Sequence, residues 1–197
     1  MLYTKKGDNG TTKLLNCPSG TRVSKSFFVF EVLGTLDELN SSLGYAKALS
    51  RKYKLSVFMK DRRMFYEEII NIFQQNLFCI QAELGGSLIH ASQEHVLFLE
   101  EVLYEIETLL PPVKSFIIPG GGEAGAYLDI VRTIARRAER GMVMLKDKKY
   151  DHQLIDREKE INTTSLIFLN RLSSALYALA RFANYQEGYT EKKPEYK

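Results

Sequence analysis

The residues best suited to chemistry form an arginine cluster. Arg132, Arg136, Arg137 and Arg140 stand around Glu139 in the segment RTIARRAER. On a helix turning about 100° per residue, Arg132, Arg136, Glu139 and Arg140 share one sector roughly 100° wide, and Asp129 joins them. Arg137 points about 140° away from Arg132. Leu128, Ala135 and Met142 border the sector, so the stripe runs along the edge of a core. Several arginines on one side repel unless anions share the space. The planar guanidinium fork binds two phosphate oxygens at once. Two readings stay open at this point: a polyphosphate site, or a solvated face salt-bridged through Asp129 and Glu139.

A second candidate is the N-terminal segment YTKKGDNGTTKL, Tyr3 to Leu14. Its glycines, Gly7 and Gly10, let backbone N–H groups converge on a concavity of the kind that binds phosphate. Thr4, Thr11 and Thr12 add hydroxyls; Lys5, Lys6 and Lys13 add charge; Arg22 and Lys25 follow closely. The segment is not a Walker A loop, because Gly-Lys-Ser/Thr after a strand is missing. The competing reading is a flexible, solvated arm.

Other positions have ordinary explanations. Asn170, Ser174, Tyr177, Arg181 and Asn184 step by three and four, which one wet face of a bundle helix explains. Asp37 near a helix start is favoured by the helix dipole. Phe116, in SFIIPGG, reads as core. His90, His95 and His152 form no ligand pattern, and no metal-ligand set is expected from the side chains. No Ser/His/Asp or Cys/His arrangement appears, so an enzyme built this way lacks an obvious nucleophile or general base.

The elements that must position these residues are helical. The Thr35–Glu38 run has the form of a capping box, with the helix starting there or a turn earlier, near Glu31. Tyr66, Ile69, Phe73, Leu77, Ile80, Leu84 and Leu88 predict a long helix over about residues 60–90. A third is predicted from Gln93 to Leu110, stopped by Pro111-Pro112. A fourth, from Glu123 to Leu145, carries the arginines; a fifth, from Thr164 to Glu187, ends at Gly188. Residues 1–30 read as loop, 146–160 as an exposed charged loop, and the tail TEKKPEYK as frayed. The predicted fold is all-α, an antiparallel five-helix bundle in a single domain over 1–197: an arm (1–30), the bundle (31–188) and a tail (189–197).

Composition agrees. The 197 residues are 45% hydrophobic and 26% charged, with a net charge of +3, ordinary for a globular domain and no argument for nucleic acid or membrane binding. No apolar run reaches the roughly 20 residues of a membrane span, and MLYTKK opens without a signal-peptide core. The two cysteines, Cys17 and Cys79, build no disulfide framework, so the expected location is cytoplasmic.

Six blocks in order, YTKKGDNGTT, RVSK, FEVLGTLDELNSSLG, FIIPGGG, RTIARRAER and FLNRLSSALYALAR, resemble the ATP:cob(I)alamin adenosyltransferases of the propanediol-utilisation type, the family that includes the mitochondrial methylmalonic-aciduria enzyme. The likeness spans about residues 3–187. It implies a five-helix bundle, usually a homotrimer with intersubunit sites, using ATP, Mg2+ and cobalamin. By that resemblance Thr4, Lys5, Lys6, Gly7, Asp8, Gly10, Thr12 and Lys25 would hold the nucleotide with Arg136, Arg137, Glu139, Arg140 and Asn170. Asp37 would pair with Arg132 across subunits, and Phe116 would sit against the lower corrin face. Expected partners are a flavin-type reductase and a B12-dependent enzyme. The missing nucleophile fits, because cob(I)alamin is itself the nucleophile.

The chain departs from the family pattern in three places. Ser174 stands where NRLSD would place an acid, the connection between Arg140 and Asn170 is longer, and Ser26-Phe27-Phe28 is more apolar. The alternative reading is a non-catalytic paralogue that binds ATP or a corrinoid as carrier or regulator.

Overall fold

Apolar residues at helical spacing account for nearly all the regular structure. The structure is a computed structural model that describes residues 3–147 and 161–196. Among them lie five α-helices: α1 (Phe28–Lys52), α2 (Tyr66–Leu84), α3 (Gln93–Leu109), α4 (Glu123–Lys146) and α5 (Thr163–Gln186). The charged segment expected as a loop over 146–160, and with it the longer connection before Asn170, lies mostly outside the described residues.

Neighbours in sequence run antiparallel. Arg51 pairs with Glu67 and Gln74 donates to the Asn40 carbonyl, which sets α1 against α2. Lys52 pairs with Glu123, and a Cβ on Gly141 would press on Val32, which sets α1 against α4. The edge-on rings of Phe73 and Phe98 join α2 to α3. α5 is the most enclosed helix and packs antiparallel to α4. Beside α3 it runs parallel, as Arg171–Glu100 and the bond from Arg181 to the Pro111 carbonyl show.

The observed elements correct several expectations. α1 begins at Phe28, because Val29 and Val32 extend the stripe of Leu36, Leu39 and Leu43 upstream. Thr35 is therefore inside the helix, its hydroxyl bonded back to the Glu31 carbonyl at 2.9 Å, and caps nothing. The predicted helix over 60–90 is shorter at both ends. Residues 56–65 form a hairpin instead: following the short strands β1 (Thr11–Thr12) and β2 (Val23–Ser24) in the chain, β3 (Ser56–Met59) pairs with β4 (Arg62–Phe65), its core face made by Val57, Met59 and Met64. Glu68 then caps α2 by accepting the Phe65 N–H at 2.8 Å. At the other end Gly86, with φ +100, closes a Schellman motif in which Ser87 N–H reaches the Ala82 carbonyl at 2.9 Å.

The first 30 residues are not all loop. β1 (Thr11–Thr12) and β2 (Val23–Ser24) form a short antiparallel ladder. Leu14 is buried in the core, and Leu15 N–H bonds to the Gly85 carbonyl at 2.7 Å. The tail is not frayed over the described residues: Glu191 forms an ion pair with Arg181, and Ile118 N–H donates to the Lys192 carbonyl at 2.9 Å. Gly188 does end α5, with φ +78 and a second Schellman motif, Tyr189 N–H to Asn184 carbonyl at 2.8 Å. His95 takes the Glu position of a capping box with Ser92, accepting its N–H at 3.2 Å.

Tyr66 ties α2 to α5. Fully buried, it donates its hydroxyl to the Leu179 carbonyl at 3.1 Å. Burial pushes that hydroxyl well above the ordinary tyrosine value. Tyr66→Phe removes the donor and leaves the Leu179 carbonyl with its helical bond alone, so chemical denaturation should show a loss of about 0.5–1.5 kcal/mol. The sign with pH follows. Stability due to the neutral hydroxyl is complete below the unfolded value of about 10 and is lost as pH rises beyond it, because the unfolded chain ionises first. The alkaline loss should be shallower in Tyr66→Phe than in the parent protein.

Candidate active site

The site is built on α5. α3 and α4 each pack along it and scarcely touch each other, so the α5 surface between them is left open as the floor of a cavity. The segment 110–122 that joins α3 to α4 closes one end. The cavity measures about 720 Å3. Leu103 and Ile106 of α3 and Leu110, Val113, Phe116 and Ile117 of the connection give it an apolar side; Arg132 and Arg136 of α4 give it a cationic one. Ser173, Ser174, Tyr177 and Arg181 supply the floor.

The two cavity arginines of α4 differ. Arg132 is two-thirds and more buried, paired with Asp129 through Nε at 3.0 Å and lying 5.8 Å over the Tyr177 ring. Arg136 has no hydrogen bond or ion pair to its guanidinium among the described residues; only its carbonyl is used, by Arg140 Nη1 at 3.1 Å. An unpaired guanidinium beside an apolar wall is suited to an anion. Arg181 also stacks on Tyr177, at 5.9 Å, and holds Glu191 at 2.5 and 2.9 Å. Burial pushes the Tyr177 hydroxyl up, an effect that Arg181 opposes.

A hydrogen-bond chain continues from the cavity toward the start of α5. Asn170 Nδ2 donates to Glu139 at 2.8 Å, its Oδ1 accepts from Arg171 at 2.8 Å, and Arg171 reaches Glu100 at 3.0 Å. Arg137, on its separate side of α4, is turned to Glu38 of α1. Asp37 is exposed on α1 and does not meet Arg132 within the chain.

The N-terminal arm is shaped before any ligand arrives. Lys5 has φ +60 and Gly10 φ +77, and the turn closes with Asp8 N–H to Lys5 and Gly10 N–H to Gly7 carbonyls at 3.3 and 3.1 Å. Lys25 reaches across to the Gly7 carbonyl at 3.1 Å. Arg22 holds Thr11 twice, at its hydroxyl (2.9 Å) and carbonyl (2.7 Å). Thr4, Lys5, Lys6 and Asp8 remain exposed, and Thr12 is half-buried. No hydrogen bond or ion pair among the described residues joins residues 3–25 to the α4 arginines. The two basic groups singled out in the sequence are thus both present and separate in one chain.

The structure unites Arg132, Arg136 and Phe116 in one cavity, and Glu139 with Asn170. Residues that sequence reasoning explained away as a wet face, Ser174, Tyr177 and Arg181, are the cavity floor. Their three-and-four spacing was the available signal; which neighbour they faced was not in it. Glu83 carried no signal. It is buried and accepts from Asn162 N–H (2.6 Å) and the Ser165 hydroxyl (2.5 Å), fixing the start of α5.

A five-helix bundle with a preshaped basic glycine turn, a helix-borne arginine cluster and a half-apolar cavity is suited to hold a polyphosphate beside a ligand with an apolar face. The comparisons with known proteins give its family. The cobalamin adenosyltransferase family model matches residues 2–183, and the chain belongs to that family. Its relatives include the mouse corrinoid adenosyltransferase MMAB, 33% identical over 97% of this chain and 76% of that protein. Another is the corrinoid adenosyltransferase PduO of Citrobacter freundii, 34% identical over 91% of this chain; this chain spans about half, 49%, of its length. A phenylalanine-to-alanine variant of the PduO-type ATP:corrinoid adenosyltransferase from Lactobacillus reuteri, solved with cobalamin and ATP, superposes with a TM-score of 0.80 at 32% identity, covering 100% of both chains.

Arg22→Ala removes both clamps on Thr11. Amide exchange at Thr11 and Thr12 should quicken about tenfold while global stability changes by less than about 1 kcal/mol, since the arm is a locally opening unit. Amide hydrogen exchange read by NMR checks this.

Proposed function

We propose that this chain is a corrinoid adenosyltransferase that moves the 5′-deoxyadenosyl group of ATP to cob(I)alamin, yielding adenosylcobalamin and triphosphate. The cobalt electron pair attacks C5′ of the ribose. A Co–C bond forms, the C5′–O bond breaks, and its electrons leave with triphosphate. The protein then has to position two substrates and neutralise the leaving group. The observation that carries the reading is one cavity with Phe116 on its apolar side and the unpaired Arg136 on its cationic side.

Within this reading the arm residues Thr4, Lys5, Lys6, Gly7, Asp8, Gly10, Thr12 and Lys25 grip the nucleotide with Arg136, Arg137, Glu139, Arg140 and Asn170. Phe116 meets the lower corrin face. There it excludes the lower axial ligand, which eases reduction of cobalt by tuning its ligation. Among the described residues no group of three or more His, Cys, Asp and Glu gathers as a metal site. On this reading Mg2+ arrives on the triphosphate, with Glu139 and Asn170 the neighbouring oxygen donors, where it would screen the charge of the leaving group.

The separation of the arm from the α4 arginines within one chain supports a site completed between subunits, with the arm of one copy meeting α4 of the next. On that reading Asp37 pairs with Arg132 of a neighbouring copy in a homotrimer. Light scattering should then report three times the 22.6 kDa chain mass. No helix among the described residues is long and apolar enough to cross a membrane, and Cys17 and Cys79 are both free, which fits a reducing, cytoplasmic compartment. A flavin-type reductase supplying cob(I)alamin and a B12-dependent enzyme receiving the product are the partners this chemistry calls for.

Anaerobic incubation with ATP, Mg2+ and chemically reduced cobalamin should produce the adenosylcobalamin spectrum with one triphosphate released per turnover. Folded protein that binds ATP and corrinoid without releasing triphosphate would instead be a carrier. Arg136→Ala should raise the KM for ATP about tenfold or more, the value of a charged hydrogen bond, whereas Phe116→Ala should change it less than about threefold. Phe116→Ala should instead slow the reaction started from cob(II)alamin. Equal effects on ATP would contradict this division of labour.

A further inference from the structure

We infer that Asn184 is a positioning residue for the segment that carries Phe116; the inference rests on the reading that Phe116 meets the corrinoid. The Phe116 ring is 79% exposed, so packing within the chain does not fix it. Its place depends on how the backbone around it is anchored. Asn184, on α5 and 8% exposed, uses both ends of its amide for this. Its Oδ1 accepts the Gly122 N–H at 2.9 Å, and its Nδ2 donates to the Gly120 carbonyl at 2.7 Å.

A plain helix-capping role explains only half of this. Gly122 is the N-cap of α4 and has no capping side chain of its own, so an acceptor there is useful to the helix. The Gly120 carbonyl belongs to no helix. The bond to it constrains the connection, four residues after Phe116. The glycines are shaped to the same amide. Gly120 and Gly121 sit at φ +128 and +120, where side chains are strained. A Cβ on Gly121 or Gly125 would collide with the Asn184 side chain. The backbone thus comes close enough for both bonds only because side chains are absent there. One turn earlier on α5, Arg181 holds the other end of the connection at the Pro111 carbonyl, 3.0 Å away. The tail adds the Ile118–Lys192 bond between them. Phe116 therefore hangs on a strap whose far anchor is a single amide.

The same amide is separate from the nucleotide groups, since neither of its bonds touches Arg136, Glu139 or Asn170. Loosening it should disturb the corrinoid and spare ATP.

Asn184→Asp tests this in the full chain. It keeps the acceptor for Gly122, tolerated at the start of α4 by the helix dipole, and replaces the donor to Gly120 with an oxygen that repels that carbonyl. Asn184→Ala, which removes both, serves as the stronger variant if it folds. The rate started from cob(II)alamin should fall about tenfold or more, as expected for a misplaced contact group, with the KM for ATP within about twofold of the parent. The electron paramagnetic resonance spectrum of bound cob(II)alamin with ATP should lose the signature of lower-ligand displacement. In a Phe116→Ala background Asn184→Asp should have no further effect, because the two act as one unit. A full multiplicative loss in that background, an unchanged rate, or a KM for ATP that rises in step would overturn the inference. Parent-like behaviour of Phe116→Ala alone would locate the failure in the reading of Phe116 itself.

Discussion

The cavity exists because two helices share a third without sharing each other. α3 and α4 both lie along α5, and the connection between them is long enough to span the gap without filling it. α5 must therefore be apolar toward α2 and the core, yet polar along the strip between α3 and α4. Phe168, Leu172, Leu176, Leu179 and Ala183 meet the first demand with complete burial. Ser174, Tyr177 and Arg181 meet the second. Each fully buried leucine on the core side contributes on the order of 1.5–3 kcal/mol, which is what lets the opposite face be given over to a ligand.

Charge is organised by the same geometry. Three guanidinium groups approach the cavity, and two have partners inside the chain: Asp129 for Arg132, Glu191 for Arg181. Arg136 is left over. Arg136 is exposed and its guanidinium has no partner among the described residues, so it is free to take up an anion that enters the cavity. The pairing of its neighbours matters as much as its own freedom, because it keeps them fixed and limits mutual repulsion. Glu139 is tied to Asn170 and Asp129 to Arg132, so neither carboxylate on this face is paired with Arg136.

Much of this was legible in the sequence. The arginine stripe, its border with the core and the ends of α3, α4 and α5 to within one residue followed from 3.6-residue periodicity, Gly188 and Pro111-Pro112. The family resemblance was carried by six ordered blocks. Errors occurred where period and contact compete. Thr35–Glu38 had the letters of a cap, but Val29 and Val32 carried the stripe past it. Leu88 matched the period of α2 by coincidence, beyond a glycine pair that ended the helix; it is 87% exposed. Val57, Met59 and Met64 alternate as a hairpin does, over a run too short to outweigh the helical pattern beside it.

The sequence by itself determined the helices, the cationic stripe and the glycine turn, because each depends on residues a few positions apart. Periodicity, charge and backbone freedom are local quantities. The tertiary structure alone decided which wet face became a cavity floor, which arginine was left unpaired, and that Asn184 reaches Gly120 and Gly122 some sixty positions away. Those outcomes depend on the order in which helices pack. A polar stripe looks the same whether solvent or another helix stands opposite, and an arginine is free or paired only once its neighbours in space are fixed.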